Sequence, residues 1–230
     1  MKILIISDIH GNYEALKTAY NREKFDKLLF LGDAVDYGPE PEKVIDFLRE
    51  NSDINIMGNH DYAVVYNESC NCAVDMLKMS DTTRKEISLK LLSKNDLDFI
   101  KTFKDDYSIE LDNKKFYLTH GSPYNNHDGY LFASEAEKVY RDKKIFNNSD
   151  YILIGHTHFM MYYRNKIINP GSCGQPRDGN YMPSYALLDT GKDEAVFKRF
   201  DYDAHKNIEM LNDLLKNFPE TLEPLKKFYS

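Results

Sequence analysis

Short apolar runs alternate with amphipathic stretches through the first sixty residues. Lys2 to Ser7 is β-branched and apolar at consecutive positions, the pattern of a strand covered on both faces. The Gly11-Asn12 turn leads to a predicted helix over Tyr13–Asn21. A second buried strand follows at Leu28 to Leu31, then a helix over Glu40–Arg49 with Val44, Ile45 and Leu48 on one face, then a third strand at Ile54 to Met57. Strands and helices in this alternation predict an α/β fold.

From about Asp61 to Asp105 the chain turns polar and helical. Ser93 with Asp96 predicts a capping box for a helix reaching Phe103, and Ser134 with Glu137 predicts a second. Tyr107–Leu111 and Lys114–Leu118 alternate around Asp112-Asn113 and predict a hairpin. Tyr151–Ile154 is another buried strand. Phe159–Tyr163 with Lys166–Asn169 forms a second predicted hairpin, Tyr185–Leu188 and Ala195–Phe200 end the sheet, and helix begins near Ala204. There is no internal repeat, low-complexity tract or linker. The expectation is one domain over 1–230, with a helical insertion at about 61–105 and a C-terminal helix from about 204.

Charge narrows the partners. Thirty basic residues against 37 acidic ones leave a formal charge of −7, which argues against a general polyanion binder and against an extended nucleic-acid surface. The first apolar run is too short for a signal-peptide core, and no stretch approaches the roughly 20 apolar residues that span a bilayer. A soluble, cytoplasmic protein without a membrane partner is expected. Three cysteines, Cys70, Cys72 and Cys173, make an odd number with two of them one residue apart. This predicts reduced thiols rather than a disulfide framework, and Cys70-Asn71-Cys72 alone offers too few ligands for a metal.

The histidines carry the chemistry. Five of the seven fall just after predicted strand ends, beside Asp, Asn and Gly. The segments are Asp8-Ile9-His10, Gly58-Asn59-His60-Asp61, His120-Gly121 and Gly155-His156-Thr157-His158, joined by Gly32-Asp33-Ala34-Val35-Asp36. In open α/β sheets ligands bind beyond the carboxyl ends of strands, so these loops are expected to share one rim. Asp8 with His10, and His156 with His158, are i, i+2 pairs that in extended chain project from one face. Imidazole and carboxylate together suit Zn, Mn and Fe, and the lack of thiolates argues against a structural zinc site.

The ordered set Asp-x-His, Gly-Asp-x-x-Asp-x-Gly, Gly-Asn-His-Asp, His-Gly and Gly-His-x-His resembles the calcineurin-like metallophosphoesterase superfamily, from Asp8 to about Arg177. The resemblance implies a four-layer αββα sandwich of two mixed sheets with two divalent metals between the strand ends, Mn²⁺ or Fe first and Zn²⁺ as an alternative. It further implies that Asp8, His10, Asp33 and His158 bind one metal, and that Asp33 bridges to a second held by Asn59, His120 and His156. A bridging water or hydroxide would attack phosphorus, His60 would protonate the leaving oxygen, and Asp36 would orient His60. Asp61 either joins this group or caps a helix. Two divalent ions against Asp8 and Asp33 would leave about +2 at the site, so the acidic total no longer opposes a phosphate substrate.

Details of the motifs narrow the branch. Phosphoprotein phosphatases of the superfamily usually carry Arg after the second Asp and Glu after Asn-His, where this chain has Tyr37 and Asp61. Gly32 to Pro39 and Asn169 to Asp178 instead resemble the small prokaryotic phosphodiesterase and dinucleoside polyphosphate hydrolase branch. The expected activity is hydrolysis of a phosphodiester or phosphoanhydride in a small substrate, a nucleotide such as diadenosine tetraphosphate among them, by a protein that could be an oligomer. A Ser/Thr phosphoprotein phosphatase is the alternative, and a non-catalytic scaffold a further one. Arg177 either binds substrate phosphate or braces its loop by pairing with an acid. Cys173 reads as a buried structural thiol. Tyr62 and Tyr66 could stack on a base or pack in the core, and the insertion is expected to cap the metal rim.

Overall fold

Two five-stranded sheets lie face to face in a computed structural model that describes residues 1–146 and 148–229. The first sheet has the order β10-β9-β1-β2-β3. Its strands are β1 (Lys2–Ile6), β2 (Lys27–Phe30), β3 (Ile54–Asn55), β9 (Ser184–Asp189) and β10 (Glu194–Arg199). β1, β2 and β3 run parallel, while β9 and β10 add an antiparallel edge. The second sheet is ordered β4-β5-β6-β8-β7. It comprises β4 (Asp106–Leu111), β5 (Lys114–Thr119), β6 (Tyr151–Leu153), β7 (Met160–Tyr163) and β8 (Ile167–Pro170), with β5, β6 and β8 parallel.

The burial pattern explains the layering. Leu4 and Ile6 of β1 face helices α1 (Tyr13–Arg22) and α2 (Pro41–Asn51) with Leu16, Ala19, Val44 and Ile45. Ile3 and Ile5 point the other way, onto Phe116, Leu118, Leu153 and Ile168 of the second sheet. That strand alternation is why β1 is apolar at consecutive positions. The far face of the second sheet is covered by α7 (Ala136–Arg141) and α8 (Lys143–Phe146), with Ala136 and Val139 packed on Ile152 and Ile154. Helix, sheet, sheet, helix gives the αββα sandwich of two mixed sheets.

The stretch expected as a helical insertion at about 61–105 is occupied by α3 (Asn59–Tyr66), α4 (Val74–Thr83), a π-helical turn at Arg84–Ser88, α5 (Leu89–Leu91) and α6 (Lys94–Ile100). Met79 and Ile87 from it pack with Tyr37 against α9 (His205–Leu214) and α10 (Pro219–Lys226) through Leu211, Leu215, Leu222 and Leu225. The predicted single C-terminal helix is two: α9 ends at Leu214, and after a short turn Pro219 opens α10 at its first position, where a missing N–H costs no helical bond.

Local signals hold in part. Ser93 and Asp96 form the reciprocal cap of α6. Asp112 and Asn113 turn the β4–β5 hairpin with φ of 52° and 59°, the left-handed pair that a tight hairpin needs. The Ser134–Glu137 box does not form: α7 starts from Glu135 without a side-chain cap, and Glu137 turns to Arg141, Arg164 and the Tyr163 hydroxyl. Stronger charged partners there outcompete the cap. The reduced-thiol expectation is also corrected, since Cys70 and Cys72 are joined as a disulfide and Cys173 alone stays free. A bridge across one intervening residue constrains only its own loop, and counting cysteines gives no sign of it. Among the described residues no helix is long and apolar enough to cross a membrane.

Candidate functional site

The loops that leave the parallel strands carry the expected residues to one rim. Asp8 and His10 follow β1, Asp33 and Asp36 follow β2, Asn59 and His60 open α3 after β3, His120 follows β5, and His156 and His158 follow β6. All nine are buried. The extended geometry expected for the i, i+2 pairs is not what brings them inward. Asp8, His10, Asp33, Asp36, His156 and His158 have φ between 49° and 66°, the left-handed region that non-glycine residues enter only when the surroundings hold them there. Backbone bonds from Asp8 N to Gly32 O, from Ile9 N and His10 N to Asp33 O, and from Gly174 N to Asp8 O supply that hold.

Two groups of donor atoms form. In the first, His10 Nε2 and His158 Nε2 lie 3.4 Å apart, Asp8 Oδ1 is 3.3 Å from His158 Nε2, and Asp33 Oδ2 is 3.7 Å from His10 Nε2. In the second, Asp33 Oδ2 is 3.2 Å from His120 Nε2, and Asn59 Oδ1 lies 3.1 Å from both His120 Nε2 and His156 Nδ1. Asp33 belongs to both. Asn59 is oriented by donating Nδ2 to the Cys70 carbonyl at 2.6 Å, which leaves its oxygen facing the histidines.

The remaining ring nitrogens settle where the protons sit. His10 Nδ1 donates to Val35 O at 3.0 Å, His120 Nδ1 to Leu31 O at 2.7 Å, and His158 Nδ1 to Gln175 O at 2.5 Å. A carbonyl can only accept, so in the neutral rings each Nε2 presents a lone pair to the centre. Asp8 Oδ1 is buried with no hydrogen-bond donor. Acceptors converging without protons between them repel unless a cation lies among them, so the donor sets fit divalent metal ions.

Electrostatics agree with that fit. Burial pushes Asp8 up to about 6 and His10 down to about 3, and burial likewise holds His156 and His158 well below the ordinary imidazole range. Burial would also lower His120, but the neighbouring Asp33 carboxylate overrides it and raises the ring to about 9; reciprocally Asp33 is held below the carboxylate range against its own burial. A bound metal would take the place of that proton.

Beside the metal-type cluster, His60 Nδ1 donates to Asp36 Oδ2 at 2.9 Å. Tyr37 contributes no phosphate grip. It is fully buried, with its ring 4.8 Å from that of His10 and 5.0 Å from that of His60. Asp61 caps rather than ligates: Oδ2 accepts from Asp33 N at 2.8 Å and Gly58 N at 3.0 Å, and Oδ1 accepts from Ala34 N at 2.8 Å. Burial and the charge of Asp33 push its carboxyl up to about 7. Gly58 is required by proximity, because a Cβ there would fall 2.1 Å from Asp33 Oδ1.

Other expectations divide. Arg177 pairs with Gln175 Oε1 at 2.5 Å rather than with an acid, and lies over the Tyr37 ring at 5.6 Å. Cys173 is fully buried, and burial pushes its thiol up. Tyr62 packs partly in the core, while Tyr66 is exposed with its ring 4.5 Å away. Cys70 and Cys72 come close enough to His60 for the three to hold an ion if the thiols were reduced. Reading the chain in order missed Ser80, Arg84 and Ser88, which surround Asp36, and Tyr130, whose ring lies 4.2 Å from His156. Only the i, i+4 spacing of Ser80, Arg84 and Ser88 in a helical stretch hinted at a shared face.

A rim of buried Asp, Asn and His side chains at the strand ends of an αββα sandwich is a site whose donor atoms could hold metal ions. The sequence model of the calcineurin-like phosphoesterase superfamily domain matches residues 1–193, and the chain belongs to that superfamily. It is 30% identical over 231 residues to an uncharacterised protein of Methanocaldococcus jannaschii, MJ0912, covering 91% of each chain. It is 28% identical over 203 residues to the phosphodiesterase MJ0936 of the same organism, covering 84% of this chain and 96% of the relative. A metallophosphoesterase from Sphaerobacter thermophilus superposes with a TM-score of 0.82 at 25% identity, covering 100% of this chain and 99% of that one.

Proposed function

We propose that this chain is a dinuclear metal-dependent phosphodiesterase, cleaving a phosphodiester or phosphoanhydride bond in a small substrate such as a nucleotide. The observation that carries the reading is the pair of donor groups sharing Asp33, with the His60–Asp36 dyad beside them. Asp8, His10 and His158 would hold one ion, Asn59, His120 and His156 the other, and Asp33 both. Mixed nitrogen and oxygen donors suit Mn²⁺ and Fe, with Zn²⁺ also accommodated. When bound, two such ions supply Lewis acidity toward phosphoryl oxygens and acidify water at neutral pH.

The chain's own residues do the rest. Asn59 is a neutral ligand, so it leaves more positive charge for an arriving phosphate than a carboxylate would. His60, anchored through Nδ1–H, would pass a proton from Nε2 to the departing oxygen when the ring carries both protons, and be left neutral with Nδ1–H still on Asp36. Tyr37 stands where a phosphate-gripping arginine would favour phosphoproteins, and the relative named a phosphodiesterase supports the diester reading. The acidic total of −7 suits a small substrate better than an extended nucleic-acid partner.

The test loads the purified protein with Mn²⁺ and assays a chromogenic diester, diadenosine tetraphosphate, a monoester and a phosphopeptide in parallel. Turnover of a diester or the tetraphosphate, lost with chelator and in His60→Ala, is the expected result. Turnover confined to the monoester or phosphopeptide would shift the reading to the phosphatase alternative, and none with Mn²⁺, Fe²⁺ or Zn²⁺ would overturn it.

A further inference from the structure

The Asp36 carboxylate is completely buried, and its partners other than His60 come from one stretch of the insertion. Arg84 Nη2 donates to Asp36 Oδ2 at 2.6 Å and to Ser80 Oγ at 2.9 Å. Ser80 Oγ is itself 3.3 Å from Asp36 Oδ2 and 3.2 Å from His60 Nδ1, and Ser88 Oγ donates to Asp36 Oδ1 at 3.0 Å. The same stretch holds the backbone beneath. Asp36 and Tyr37 lie at φ of 64° and 62°, and their N–H groups reach Ser88 Oγ and Thr83 Oγ1, both at 3.1 Å.

Helical geometry explains how one segment supplies all these groups. Ser80, Thr83, Arg84, Ile87 and Ser88 are spaced by three and four residues and all are buried. The π-helical turn Arg84–Ser88 inserts one wide turn into this face, a feature that recurs at functional sites. A polar stripe is costly to bury in a helix that only packs, where apolar residues would serve. Here each polar group meets the loop that carries Asp36.

We propose that Arg84 is a positioning residue for the leaving-group acid: with Ser80 and Ser88 it holds the Asp36 carboxylate in the orientation that fixes the His60 ring. The insertion then acts on the reaction through His60 rather than chiefly as a cover over the metal rim. Arg84 balances the buried Asp36 charge and occupies one side of Oδ2, so His60 Nδ1 meets the other side in a single geometry. Without Arg84 only the Ser80 and Ser88 hydroxyls remain on the carboxylate, its charge is left unbalanced, and the anchor of the imidazole loosens. The inference rests on the phosphoesterase reading for its consequence in catalysis, and on hydrogen bonding alone for its structural part.

Two readouts test it in Arg84→Gln, with Ser80→Ala and Ser88→Ala as milder variants should the first fold poorly. The first is the Nδ1–H resonance of His60 in ¹⁵N-histidine-labelled, Zn²⁺-loaded protein, assigned by its absence in His60→Gln. A downfield, slowly exchanging signal is expected in the parent and in Arg84→Lys, and its loss in Arg84→Gln. The second is leaving-group dependence in the Mn²⁺ enzyme. Arg84→Gln should lower kcat by about 10- to 100-fold for an alkyl leaving group but by less than about 3-fold for p-nitrophenolate, because the latter departs without a proton and general acid catalysis contributes on the order of 10²–10⁴. KM should hold, and Arg84→Lys should restore part of the loss. An unchanged Nδ1–H signal in Arg84→Gln, or equal losses for both leaving groups, would overturn the proposal. If the parent enzyme turns over no ester, the functional reading fails, and the resonance still decides whether Arg84 orients His60.

Discussion

Asp61 provides the sharpest measure of how tightly the backbone beneath the candidate metal ligands is held. Its carboxylate accepts three buried backbone N–H groups, from Asp33, Ala34 and Gly58, and so ties the β2 loop to the start of α3. Asp61→Ala leaves all three without a partner. Each orphaned buried N–H costs about 1–3 kcal/mol, giving roughly 3–9 kcal/mol in all. Relief of the repulsion between Asp61 and Asp33 offsets part of this, so the lower half, about 3–6 kcal/mol, is expected. For a chain of this size about 2–4 °C accompanies each kcal/mol, and Tm should fall by at least about 6 °C. Asp61→Asn keeps one carbonyl oxygen able to accept from Asp33 and Gly58, but turns an NH₂ toward the Ala34 N–H. Its loss should be about half as large. The assay is thermal unfolding followed by circular dichroism in chelator, then repeated with Mn²⁺. Because Asp33 moves with its backbone, the Tm gain on adding metal should shrink in Asp61→Ala. A Tm within about 2 °C of the parent, with an undiminished metal effect, would refute the reasoning.

Further outcomes follow from the same geometry. In the metal-free fold Asp8 and Asp61 titrate at about 6 and about 7, against about 3.9 unfolded; their stabilising contribution is whole below pH 4 and is lost as pH rises through 6 and 7. Metal ions neutralise that burden, so Mn²⁺ should raise Tm more at pH 8 than at pH 5, and equal gains in a scanning fluorimetry series would count against buried carboxylates as the cause. Gly58→Ala drives a Cβ to 2.1 Å from Asp33 Oδ1 and should abolish the metal-induced Tm gain; isothermal titration showing parental affinity would contradict this. Alkylation of the denatured, unreduced protein should label Cys173 alone, with two further labels only after reduction, and three labels at the outset would rule out the Cys70–Cys72 bridge.

Much of the architecture is legible from periodicity because burial repeats on the scale of a strand or helix. Ile3 to Ile6 announce a strand covered twice, and the Val44, Ile45 and Leu48 stripe announces a helix face. Asp8, His10, Asp33, Asn59, His120, His156 and His158 were expected at one rim because each stands beside a strand end, while their selection as ligands came from the family resemblance. Their division into two groups sharing Asp33 was expected only through the family resemblance; the distances behind it, between residues as far apart as His10 and His158, are set by the register and packing of two sheets. Chain order contains no such distances. Left-handed φ values at five of these positions were also hidden, since Asp and His enter that region only under tertiary constraint. The same holds for Asp36, whose anchor Arg84 lies 48 residues away on another element. The sequence by itself determined which side chains reach the rim. The tertiary structure alone decided which atoms face one another there, because hydrophobic patterning is local while the geometry of a site is the sum of contacts across the whole chain.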